Sequence, residues 1–122
     1  MEITTSQKQG RVPVAVFQIQ GTVDSANYQD FSNSLSKQVN AGAEYILLDL
    51  SGVSYMSSAG IRSLNELALL LRGKFPQDEK SRMSKRVKLL NPQERVLDVL
   101  KLSGVDQVFE IHANLETALA SF

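Results

Sequence analysis

Two rhythms of apolar residues alternate along this chain, one repeating every second position and one every third or fourth. The places where one gives way to the other divide it into elements. Val12, Val14, Val16 and Gln18 set a half-buried strand that stops at Gly21, preceded by an edge strand over residues 2–7. Ser25 then caps a helix whose Tyr28, Phe31, Leu35 and Val39 share one face, and Gly42 closes it. The run from Tyr45 to Leu50 is short and almost wholly apolar, as a central parallel strand covered on both faces would be. From Ser58 onward, Ile61, Leu64, Leu67 or Ala68, and Leu71 keep a helical spacing until Gly73 and Pro76 break it.

Residues 74–86, KFPQDEKSRMSKR, hold Phe75 and Met83 as their sizeable apolar groups amid a surplus of basic side chains, which reads as a mobile, solvated connection. Val87 to Leu90 resumes as a strand. Asn91, Pro92 and Glu94 then have the spacing of a capping box, opening a third helix through Val96, Leu97 and Leu100 to Gly104. Residues 107–111 read as a last strand. A terminal helix from about Asn114 turns Leu115, Ala118, Leu119 and Phe122 inward. The order β-β-α-β-α-β-α-β-α predicts the α/β class, with right-handed crossovers joining parallel strands and functional groups at strand C-terminal ends. Ser57 and Ser58 sit at such an end.

The length of 122 residues with 43% hydrophobic content suits one domain with a real core. Thirteen basic residues balance thirteen acidic ones, so the field that draws proteins to nucleic acid or anionic membrane is missing, and neither direct nucleic-acid binding nor membrane insertion is expected. The absence of cysteine excludes disulfides, thiol catalysis and thiolate metal sites. The first residues lack a basic-then-apolar leader pattern, and no apolar run approaches the roughly 18 residues of a membrane span. A cytoplasmic location is the expectation.

The twin serines admit two readings: an N-cap, worth about 1 kcal/mol over alanine, or a site read from outside, since Ala59 and Gly60 leave the helix start open. A nucleophilic serine needs a base, and the single histidine, His112, lies at the end of the last strand with no GxSxG elbow around the serines. Asp49, ending an apolar strand, resembles a phosphoaccepting aspartate, but Gly21, Thr22, Val23 and Asp24 supply one carboxylate where magnesium would need a pair. The glycines form no phosphate-binding loop, and one histidine with isolated acids is no metal site. No catalytic residue, cofactor or metal is expected.

The segment DLSGVSYMSSAGIRSL, residues 49–64, resembles the signature of the STAS domain of anti-sigma factor antagonists, close to DLS-x-V-x-F-hydrophobic-D-S-S/T-G-hydrophobic. IQGTVDSANYQDF and NPQERVLDVLKLSGVDQVFEI are similar to that family as well, so the resemblance spans nearly the whole chain apart from residues 74–86. It implies a STAS fold, a mixed, mainly parallel sheet of four to five strands with about four helices. It also implies a serine acceptor two positions before the glycine, hence Ser58. Ser57 stands where the family usually has aspartate and is a second candidate acceptor; Ala59 replaces the family's second hydroxyl residue. The implied partners are an anti-sigma factor that is also a serine kinase, and a metal-dependent serine phosphatase. Unphosphorylated antagonist would bind the anti-sigma factor and free the sigma factor, with no catalysis of its own. The implied contact face comprises Asp24, Ser57, Ser58, Gly60, Ile61, Arg62 and Asn65. The alternative is a non-switching STAS subunit or scaffold, such as a small partner of a membrane transport complex.

Overall fold

A computed structural model describes residues 1–78 and 83–122. Five strands, β1 (Glu2–Gln9), β2 (Pro13–Val23), β3 (Ile46–Met56), β4 (Val87–Leu90) and β5 (Glu110–His112), form one sheet in chain order, with β1 antiparallel to β2 and every other pair parallel. The helices are α1 (Tyr28–Asn40), α2 (Ser58–Lys74), α3 (Glu94–Leu102) and α4 (Leu115–Ala120). Because each crossover steps the same way along the sheet, right-handedness puts α1, α2 and α3 on one face. The main core shows this: Phe17, Ile19, Leu48, Leu50 and Leu89 of the strands meet Phe31, Leu35, Leu64, Leu71 and Leu100 of the helices. On the other face Val14, Val16, Leu47 and Leu90 lie under Ala118, with Leu119 and Phe122 packed beside it. Ligand crevices in open α/β sheets form where the strand order reverses. This order never reverses, and the strand ends present a rim rather than a cleft.

Several local expectations are corrected. In β2, Ala15, Phe17 and Ile19 are as buried as Val14 and Val16, because the strand lies between β1 and β3 with helices on both faces; the apparent alternation names the smaller core. The strand also passes Gly21, which takes φ 102, and runs to Val23 after two shifts of register against β3. Ser25 does not cap α1. The turn belongs to Asp24, whose Oδ1 accepts from the Ala26 amide, and to Asn27, whose side chain accepts from the Asp24 amide and donates to the Thr22 carbonyl. The capping box is absent: Asn91 adopts φ 49, and Gln93, at the cap position, donates its side-chain amide to Ser51 of β3 instead. Residues 105–107 form a 3-10 turn, so the last strand starts later than expected. Leu115 is exposed, and α4 is capped by Asn114, which accepts from the Thr117 amide.

The expectation of a mobile connection over residues 74–86 falls partly on residues 79–82, outside the described residues. Its flanks are packed. Arg86 pairs with Asp78, stacks 3.6 Å from the Phe75 ring centre and lies 5.0 Å from that of Tyr45. Ser84 Oγ accepts from the amides of Arg86 and Val87, and the Ser84 amide donates to the Val108 carbonyl. A second cation, the buried Lys88, reaches the Ser121 carbonyl at 2.8 Å, its hydroxyl at 2.9 Å and Glu110 at 3.3 Å, with Nζ 4.9 Å from the Phe122 ring centre. Those partners compensate the burial of its charge and tie the end of α4 to the sheet. Replacing Arg86 by Ala is expected to lower stability by about 1–3 kcal/mol, through lost stacking and an unpaired Asp78. Lys85→Ala, at an exposed neighbour, should change it by less than about 0.5 kcal/mol. Urea denaturation of the two variants checks the contrast.

Candidate functional site

The rim at the C-terminal ends of β2 and β3 is assembled by a few short contacts. The Ser57 amide donates to the Val23 carbonyl at 2.8 Å, which sets the Asp24 turn beside the start of α2. Gly60 follows because nothing larger fits: a Cβ there would lie 2.7 Å from Met56 Cγ and 2.9 Å from Val23 Cγ1. The first turn of α2 therefore presses on the two strand ends. Ser63, buried one turn on, accepts no apolar compromise: its hydroxyl donates toward the carbonyls of Tyr28 and Ala59, joining α1 to α2.

The two serines separate in this frame. Ser57 occupies the cap position in extended conformation, and its carbonyl accepts from the Ile61 amide. Its side chain makes no cap hydrogen bond. Its Oγ is buried without a partner among the described residues. Ser58, the first residue of α2, is exposed. Of the other residues expected on the face, Arg62 and Asn65 are exposed and Asp24 is half-buried, whereas Gly60 and Ile61 turn into the core. Gly60 thus answers to packing rather than to an approaching partner. Sequence reasoning did not single out Tyr55, 48% exposed near the end of β3; the signal for it was an aromatic one position from the apolar Met56, hence on the opposite side of the strand.

The electrostatics of this rim suit an anion. The helix behind Ser58 is 17 residues long with no acid in its first turn, so its free amides and dipole meet no carboxylate from their own helix there. Other candidate chemistry lies elsewhere. Asp49 is interior to β3, which continues to Met56, and its carboxylate accepts from the Ser51 amide. His112 stands on β5, beyond β4, where Nε2 meets both Glu110 at 3.0 Å and Ser121 at 3.4 Å. Both contacts use one nitrogen, so these groups do not line up as the acid–base relay of a triad, which needs the two ring nitrogens.

The sequence model of the STAS domain matches residues 5–75. The chain belongs to the STAS domain family. A protein of Bordetella bronchiseptica that carries the name anti-sigma factor antagonist BtrV is 31% identical over 104 residues, covering 85% of this chain and 82% of its own length. The fold is that of the Bacillus cell fate determinant SpoIIAA, solved in its phosphorylated form, at a TM-score of 0.68 and 19% identity over 97% of this chain and 96% of that one. It is also similar to part of the murine anion transporter Slc26a9, at a TM-score of 0.67 and 17% identity, covering 88% of this chain and 17% of the transporter. Among the described residues, no helix of this STAS domain is long and apolar enough to cross a membrane.

Two substitutions test the rim's construction by denaturant unfolding. Since Ser57 Oγ makes no cap bond and is buried unpartnered, Ser57→Ala should leave stability equal or raised, in place of the loss of about 1 kcal/mol that removing a true cap causes. Gly60→Val should cost about 2 kcal/mol, as the added carbons meet Val23 and Met56.

Proposed function

We propose that this STAS domain is an anti-sigma factor antagonist that docks on a serine-kinase anti-sigma factor through the rim around Ser58, frees a sigma factor by doing so, and is switched off when the kinase phosphorylates Ser58. The observation that carries this reading is an exposed Ser58 at the first turn of a long helix, beside a half-buried Ser57 whose hydroxyl oxygen is buried. In the transfer, the Ser58 oxygen takes the γ-phosphoryl of ATP, ADP leaves, and the hydroxyl proton passes to a base on the kinase. Ser57 could accept phosphate only if its oxygen left the packed helix start. The names of the relatives support the same reading, and a metal-dependent serine phosphatase would reverse the modification.

Phosphorylation adds about −1.5 to −2 charges where the helix dipole and free amides tolerate an anion. The domain keeps its fold and changes its face. A partner packed over Ser58 must then desolvate a dianion or supply new positive groups, and either demand weakens binding. Asp24, Arg62 and Asn65 flank the acceptor and complete the footprint, while Gly60 and Ile61 support it from below. A second reading, a non-switching subunit of a transport complex, is favoured by the likeness to part of Slc26a9.

Ser58→Glu is expected to weaken binding to the purified anti-sigma factor by at least tenfold in calorimetry, with the thermal midpoint within a few degrees of the parent. Unchanged affinity would remove Ser58 from the interface. Capture from native cells discriminates the two readings: a kinase-fold protein supports the switch, and a transporter component supports the subunit.

A further inference from the structure

Beyond Ser58, the outer side of α2 carries one unexplained feature. Leu69 is 65% exposed in the middle of a helix whose Gly60, Ile61, Ser63, Leu64, Leu67, Ala68 and Leu71 are buried. At 3.6 residues per turn, Ser58, Arg62, Asn65 and Leu69 fall on one ridge opposite that buried side. Few large apolar side chains stand as exposed among the described residues, and Leu69 is the one that lies on the ridge Ser58 begins. Of the residues one turn from Leu69, Asn65, Glu66 and Gly73 are exposed and not apolar and Arg72 is half-buried, and Leu69 itself stays 65% exposed. Arg62, midway, has no ion pair among the described residues.

We propose that Leu69 is a second, phosphorylation-independent anchor for the same anti-sigma factor, seated in a shallow apolar socket on that partner, with a partner carboxylate meeting Arg62 between the two anchors. This rests on the reading of the Ser58 rim given above and adds to it a division of labour. Eleven residues of helix set Leu69 about 16 Å from Ser58. That span fits within one side of a standard interface of about 800 Å², roughly 30 Å across. It also exceeds the screening length of about 8 Å at physiological ionic strength, so a phosphate on Ser58 leaves the Leu69 contact untouched. Leu69 therefore sets how tightly both forms are held, and Ser58 sets the ratio between them.

The test uses the purified cognate anti-sigma factor and four full-length variants: Leu69→Gln, which keeps helix propensity; Leu102→Gln, at the 89%-exposed leucine ending α3; Ser58→Glu; and the double variant Ser58→Glu with Leu69→Gln. Calorimetry should show Leu69→Gln raising Kd about tenfold with Leu102→Gln unchanged. The double variant should multiply the two single losses, as distant sites do. For phosphorylation of Ser58, Leu69→Gln should raise KM and leave kcat unchanged, the mark of lost uniform binding. The inference is overturned if Leu69→Gln binds like the parent while Ser58→Glu weakens binding, or if Leu102→Gln weakens it equally. If Ser58→Glu binds as tightly as the parent, the reading of the rim itself fails, and the shared footprint fails with it.

Discussion

The start of α2 rests on the ends of β2 and β3 through a contact that tolerates no side chain at Gly60. That approach, together with the Ser57 amide bonded to the Val23 carbonyl, fixes where the helix begins and which way its first residues point. One serine is thereby turned under the helix with its oxygen buried, and the next is turned out. The chemical difference between two identical neighbours is a consequence of packing. A helix start moved outward by even one methyl group would loosen the distinction.

The sheet topology places the candidate site on the surface. Strand order equals chain order, so no crevice opens between diverging crossovers, and the strand ends form a rim of turns and helix starts. The rim exposes the Ser58 side chain, the start of α2 and the polar side chains of Arg62 and Asn65, and the proposed docking rests on these. The far side of the molecule is secured separately, by the cation–aromatic contacts of Arg86 and Lys88 and the short α4. Those contacts tie Phe75 and Asp78 to Arg86, and the chain's last residues to Lys88.

How much could be read from the residues follows from what each signal reports. The helical spacing of Ile61, Leu64, Leu67 and Leu71 located α2 well, because burial of one stripe is what that spacing encodes. Element order and the STAS signature carried the fold for the same reason: both depend on apolar pattern and turn residues. The caps failed where side chains were drawn into longer-range bonds, as when Asn27 displaced Ser25 and Gln93 reached across to Ser51. At the site, Ser58, Arg62 and Asn65 are exposed, and Ile61 is buried as its place on the helical stripe implies, but the burial of Gly60 depends on tertiary contacts with Val23 and Met56. The burial of Ser57 Oγ could not be read from SS at all, since both residues have identical local propensity.

The central claim is that packing makes Ser58, and not Ser57, the group on which the switch turns. Site-resolved mass spectrometry of the unmodified chain after incubation with its purified kinase and Mg-ATP tests this most directly. The account predicts a single phosphate, on Ser58; phosphate on Ser57, or none after full activity of the kinase is verified, would contradict it.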